Sequence, residues 1–256
     1  MKLPYNMRAA TIEERKQFYL NFDFNQTKRW LKRKLVYAVI IGRHSDLYPK
    51  KYEKDKNIPL IIDKYKNFSE VKQHILKFLP EGVYYDRNHY KDLTLCHSYN
   101  LRKAWEWDNF IGQELAFDID PENVTCPIHG SLQKRMNQGR GLSFCEKAFE
   151  VTKENTISLY EKLLEDYSKI KIVFSGRGFH IHVFDKETIK LNRKQRKEIA
   201  RKYNDYGIDK WVTSGEMRLI RLPYTLNGIS SRIVKPISKK EVEFFNPEKD
   251  ALPSFV

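Results

Sequence analysis

The chain has 256 residues, 41% hydrophobic and 31% charged, a balance that suits a soluble globular protein with a core of normal size. Its 47 Lys and Arg against 33 Asp and Glu leave a net charge of +14, which favours a polyanionic partner such as nucleic acid. No apolar run approaches the ~20 residues of a membrane span, the N-terminus carries no apolar signal core, and three cysteines are too few for a disulfide scaffold; an intracellular protein without a membrane partner is expected.

Residues 8–35 read as helical, opened by a capping box of Thr11 and Glu14. Lys28, Arg29, Lys32, Arg33 and Lys34 there surround Trp30 and Leu31, a basic helix with an aromatic anchor. Leu35 to Ile41 is apolar and β-branched, hence a strand, and it delivers Arg43 and His44 into a loop. Residues 48–57 read as a lysine-rich loop, and Phe68 to Leu79 as an amphipathic helix. Val83–Tyr85 and Leu93–Cys96 are short strand candidates, and Trp105 and Trp107 are expected in the core or at its rim. Residues 121–146 differ in character, with Pro121, Pro127, Gly130, Gly139, Gly141 and most of the sulfur; they read as an insertion. A helix from Glu146 to Tyr167 follows, then strands Ile170–Phe174 and Phe179–Phe184. Asn192 caps a basic helix running to about Tyr203. Trp211–Thr213 and Met217–Leu222 read as a hairpin or bulged strand, and 232–245 holds one more strand. The expected architecture is α+β: a mixed, largely antiparallel sheet with flanking helices in a single domain, 1–256.

Three stretches carry chemistry. Glu114-Leu115-Ala116-Phe117-Asp118-Ile119-Asp120 is a short buried strand ending in two carboxylates. Alternation puts Leu115, Phe117 and Ile119 on one face and Asp118 and Asp120 on the other, with the acids' Cα atoms roughly 6–7 Å apart. Like charges that close need a cation between them or a shared proton, and magnesium or manganese suits such oxygen ligands. In Ser175-Gly176-Arg177-Gly178-Phe179-His180-Ile181-His182, the glycines let backbone N–H groups approach an anion, Ser175 and Arg177 add donors for phosphate, and His180 shares a face with His182. The third stretch, Val212 to Gly228, sets Arg218 and Arg221 near Glu216 and ends in the turn at Asn227.

In this order the stretches resemble the archaeo-eukaryotic primase superfamily, and its DNA primase catalytic (small) subunit in particular. The matching segments are AFDID, SGRGFHIHV roughly 55 residues on, and VTSGEMRLIRLPYTLNG, against hydrophobic-D-x-D, S-G-x-G-x-H-x-x-V and V-T-x-D-x-x-R-L-I-R-x-P-G-S-L-H-G. The resemblance implies the primase fold and templated nucleotidyl transfer that makes short RNA or DNA primers on single-stranded DNA, with template, primer and nucleoside triphosphates as partners. Asp118 and Asp120 would bind two Mg2+ or Mn2+ ions; Ser175, Gly176, Arg177, Gly178, His180, Arg221 and Asn227 would hold the incoming nucleoside triphosphate. It also implies a large regulatory subunit as partner. Two positions depart from the pattern: the family's third acid falls on Gly215, with Glu216 able to substitute if a bulge turns it inward and Asp209 as runner-up, and the late histidine falls on Asn227.

Cys126, His129 and Cys145 have the look of the zinc knuckle that these primases carry after the paired acids, with Cys96 or His97 as a possible fourth ligand and a structural role for the Zn2+. Competing readings share the site: a gap-filling repair or mobile-element or defence-associated primase-polymerase, a catalytically weakened nucleic-acid-binding paralogue, and a metal hydrolase using Asp118, Asp120, His180 and His182.

Overall fold

The computed structural model describes residues 2–31, 33–93, 108–139 and 143–255. The strand expected at Leu93–Cys96, the tryptophans 105 and 107, Lys32, Gly141, and the candidate ligands Cys96 and His97 lie wholly or in part outside them.

Thr11 and Glu14 form the expected capping box and open α1 (Ile12–Leu20); Asp23 caps a separate α2 (Phe24–Trp30), so the stretch 8–35 breaks at Asn21 instead of running through. β1 (Tyr37–Ile40), β2 (Leu60–Ile62) and β3 (Gly82–Asp86) follow, with α3 (Phe68–Phe78) between the last two. The lysine-rich segment after β1 contains a short 3-10 turn, Lys50–Asp55. β4 (Asn88–Tyr90) pairs with β5 (Phe110–Gln113), and β6 (Leu115–Ile119) is the acid-bearing strand. The insertion holds α4 (Leu132–Asn137) and leads into the long α5 (Glu146–Leu163). β7 (Ile170–Phe174) and β8 (Phe179–Val183) form the glycine-turn hairpin. α6 (Lys186–Ile189), the Asn192-capped α7 (Arg193–Lys202) and α8 (Lys210–Thr213) precede β9 (Leu219–Arg221). The C-terminal part is β10 (Leu226–Asn227), β11 (Arg232–Ile233), β12 (Lys235–Ile237), α9 (Lys239–Phe244) and α10 (Pro247–Asp250).

The fold is α+β, as expected; among the described residues its strands form two four-stranded sheets, β2-β1-β3-β9 and β12-β7-β8-β6, and two two-stranded ones, β10-β11 and β4-β5, where one sheet was expected. Every strand pairing among the described residues is antiparallel. Leu115, Phe117 and Ile119 enter one apolar cluster with Phe149 and Leu159 of α5 and with Phe174, Phe179 and Ile181. Ala116, on the opposite face, enters a second cluster with Val83 and Tyr85 of β3, Ile220 of β9 and the helices α1 to α3. The alternation read from the sequence therefore holds, and it places β6 between two cores with its acids at one end of the seam. One strand assignment fails: Trp211–Thr213 is helical, because Asp209 caps the turn by accepting the Trp211 N–H at 2.8 Å, which overrides the β-branched composition.

Candidate active site

β6 and β8 are neighbours, and their register sets Asp118 directly opposite His180. The chain brings its acids and its glycine turn together by that single pairing. His180 Nε2 lies 3.5 Å from Asp118 Oδ1, and burial together with the neighbouring His182 and Arg221 holds the imidazole well below its ordinary pKa, hence neutral. A cleft of about 400 Å3 opens here, of the size that small-molecule sites occupy. Asp118, Asp120, Ser175, Arg177, His180, Glu216, Arg221 and Asn227 all line it.

Its floor is acidic. Asp118 is pushed well above its ordinary value by burial and then by the charges of Asp120, Asp209 and Glu122. Asp209 is raised by burial and by Asp120, and Glu122 is pushed up to about 7 by burial and Asp120, against the pull of Arg177. Asp118 Oδ1 and Asp120 Oδ1 are buried without hydrogen-bond partners among the described residues. Crowded carboxylates with unsatisfied oxygens are the donor set that hard divalent cations take, so these residues fit Mg2+ or Mn2+.

Asp209 reaches the floor because its N–H donates to the Asp118 carbonyl at 2.7 Å, next to a bridge between Ile119 and Ile208. Glu216 does not join the acid group. Gly215 sits at φ +84, and the Glu216 carboxylate turns to Arg193 and to Lys197, 3.7 Å away, at the rim. The carboxylate beside the pair is Asp209, the runner-up of the sequence reading, together with Glu122, which that reading missed. Its one local signal was its place two residues after Asp120.

The glycine turn differs in detail from an anion cradle. Ser175 Oγ accepts the N–H of Gly178 at 3.0 Å and of Arg177 at 3.4 Å, so those donors are held within the turn. Gly176 sits at φ +96, and an added Cβ would stand 2.6 Å from Asn227 Nδ2. Asn227 is fully buried; it donates to the Ser175 carbonyl at 3.0 Å and accepts the Ile229 N–H at 3.1 Å, which makes it the brace of the turn. Arg177 pairs with Glu122, and Arg221 stacks 5.0 Å over the Tyr84 ring with a buried Nη1 that has no partner among the described residues. An unpartnered buried guanidinium nitrogen beside the acid floor is a donor for an anionic ligand. Arg218, the other arginine of that stretch, is buried in an ion pair with Asp86 at 2.6 Å and serves the core.

His182 stands apart from the cleft. Its Nδ1 faces Glu114 Oε1 at 2.8 Å, and the Tyr85 hydroxyl donates to the same oxygen at 2.8 Å. That closed group fills the seam between the sheets, which removes His182 from the residue set a metal hydrolase would need.

In the insertion, donor atoms of Cys126, His129 and Cys145 all lie within 4.8 Å of one another, a group that could hold a metal ion. Burial pushes the Cys126 thiol up, yet N–H donation from His129 and Ile128 brings it below its ordinary value. Arg135, missed in the sequence, staples the insertion by donating to the carbonyls of Pro121, Glu122, Val124 and Ser143.

The DNA primase small subunit family model matches residues 117–208, the span from the acid strand through the glycine turn to the residue before Asp209. An Archaeoglobus fulgidus protein, described as an uncharacterized DNA primase small subunit-like protein, is 50% identical over 262 residues, covering 100% of this chain and 94% of that one. The DNA primase small subunit PriS of Pyrobaculum calidifontis is 25% identical, with 70% of this chain and 67% of its own covered, and that of Pyrococcus furiosus 29%, with 75% and 48%. The polymerase domain of Mycobacterium tuberculosis ligase D, solved in complex with DNA, shares the fold at a TM-score of 0.55 and 10% identity, covering 98% of this chain and 91% of that one. The chain thus belongs to the DNA primase small subunit family, within the archaeo-eukaryotic primase superfamily. Among the described residues no helix is long and apolar enough to cross a membrane.

Proposed function

We propose that this protein is a template-directed nucleotidyltransferase that synthesises short RNA or DNA strands on a single-stranded DNA template. The observation that carries the reading is the register of Asp118 against His180, which sets an acid floor and a cationic wall in one cleft. Asp118, Asp120 and Asp209 would hold the divalent ions, which when bound lower the pKa of an attacking 3′-hydroxyl and steady a triphosphate. Arg221, with its unpartnered buried Nη1, and Arg177, ion-paired with Glu122, would take the triphosphate, and neutral His180 would donate one hydrogen bond without adding charge. Asn227 and Gly176 fix the turn on which Arg177 sits. The basic surface would grip template and primer by their phosphates, independent of sequence. Cys126, His129 and Cys145 would hold a structural Zn2+, and the "small subunit" in the relatives' names carries over as a proposed partnership with a larger regulatory subunit.

The test is incubation with single-stranded template, manganese and labelled nucleotides, with and without an annealed primer. Extension that disappears in D118A/D120A is the expected result. Activity indifferent to both acids, or phosphate-ester cleavage without a template, would overturn the proposal.

A further inference from the structure

The end of β6 and β8 away from the catalytic cleft opens on a different cavity, about 560 Å3, between α2, β8 and α6. Glu114 lies at its floor, four residues and ~13 Å along the strand from Asp118. The buried group of Glu114, His182 and Tyr85 seals it from the cleft, and the Glu114 carboxylate is spent within that group. The walls are cationic and aromatic: Arg29, Trp30, Arg33, Lys171, Phe184 and Lys186. Lys171 Nζ stands 4.5 Å over the Trp30 ring and 5.5 Å over Phe184. Arg29, Lys171 and Lys186 have no carboxylate partner among the described residues, although salt bridges are formed elsewhere on the surface.

The cavity does not end there. A second concavity of about 470 Å3 shares Leu31 and Arg33 with it and continues the same composition, with Lys34 5.2 Å over Tyr65 and Lys28 5.7 Å over Phe68. Both cavities flank α2, and in both lysine ammonium groups stand over aromatic rings. Cations spaced along a groove suit a chain of phosphates, and the partly exposed rings of Trp30, Phe68 and Phe184 suit unstacked bases. A paired duplex keeps its bases stacked inside and offers nothing to those rings.

We infer that the groove running past Arg29, Trp30, Arg33 and Lys171 is a second nucleic-acid site that holds a stretch of single-stranded polynucleotide away from the catalytic cleft. The inference rests on the polymerase reading only for what the strand is for: it would hold unpaired template while the cleft works. Binding itself depends on the groove alone.

The experiment measures anisotropy of a labelled oligothymidylate with the full chain from low to high salt, for the wild type, R29E/K171E/K186E and the milder R29Q/K171Q/K186Q, each checked by thermal melting. All three positions are exposed, so the glutamine set tests the groove even where charge reversal disturbs folding. The expected result is an affinity roughly tenfold or more lower and a slope of log affinity against log salt smaller by about 2, since each lost phosphate contact on single strands removes ~0.7. Trp30 fluorescence is expected to fall on binding, a change absent in W30F. Unchanged affinity and slope in folded variants overturn the site, as does an equal loss for blunt duplex. If the groove variants lose binding while no preparation extends a primer, the groove stands and the polymerase reading falls; extension with oligonucleotide binding indifferent to the groove gives the reverse.

Discussion

Gly178 and Asp120 touch: a Cβ placed on Gly178 would stand 2.8 Å from Asp120 Cα and collide with its carboxylate and with the Ile119 carbonyl. The second glycine of the turn is therefore there to let β8 start against the end of the acid strand, more than to expose its own N–H, which Ser175 already accepts. Gly178→Ala should displace Asp120 while leaving most of the core intact. Overpacking of this kind costs about 1–3 kcal/mol of stability. Extension should fall about 10–100-fold, the loss that follows when a metal ligand's support is disturbed. Melting and primer extension on the same preparation check it; full activity with a normal melting temperature would refute the contact's role.

The proposed third acid is decided by comparing two carboxylates of one loop. Asp209 raises the pKa of Asp118 and is raised by Asp120, whereas the Glu216 carboxylate is ion-paired with Arg193 and Lys197 at the rim. Asp209→Asn should reduce extension by about a hundredfold or more and raise the manganese concentration needed for half-maximal rate. Glu216→Gln should change it only a few-fold, because exposed ion pairs contribute about 0–1 kcal/mol. The reverse ranking would return the role to Glu216. Asp209 is also the cap of α8, so Asp209→Ser, which keeps a capping oxygen, separates lost ligand from lost cap.

Why Asp209 was hard to find and Asp118 easy is a matter of range. A strand with period-two apolar residues states its own faces, so Leu115, Phe117 and Ile119 announced one core and Asp118 the face opposite to it. The His180 position followed from the same rule applied to β8, and the α+β class from the mixture of segments. Asp209 faces the acids only because its backbone bonds to Asp118 across 91 positions, a long-range contact that local pattern does not contain. Splitting into separate sheets likewise depends on which strands meet, as does burial of Arg135 under four carbonyls. His182 shows the opposite error. Its face was right, but the neighbour that claims it, Glu114, lies one strand over.

Crowding of the acids predicts a pH signature. Glu122 titrates near 4.5 when unfolded and near 7 in the fold, so between these values the folded protein keeps a proton that the unfolded chain has lost. Its contribution therefore makes stability fall as pH rises through that window, by about 3 kcal/mol at most. Metal-free wild type should lose melting temperature from pH 4.5 to 7 relative to Glu122→Gln, which lacks the titration. Added Mn2+ should close the gap, since a bound cation favours the charged form of the whole acid floor. Parallel melting curves for the two proteins across that range would contradict the account.

The insertion offers the last test. Cys126, His129 and Cys145 sit with donor atoms within 4.8 Å, and Arg135 ties the same segment to the carbonyl of Glu122, whose carboxylate holds Arg177. A metal there is thus linked through three residues to the glycine turn. The purified protein should carry close to one equivalent of zinc, with Cys126→Ser and Cys145→Ser carrying much less. A chelator strong enough to strip it should lower the melting temperature by a few degrees, about 2–4 °C for each kcal/mol in a chain of this size, and make the 121–146 segment the first cut by protease. Extension should weaken without vanishing, because the thiols hold the frame of Arg177 and touch none of the reacting atoms. A chain that is metal-free however it is prepared, and indifferent to chelation, would leave the two thiols as neighbours and nothing more.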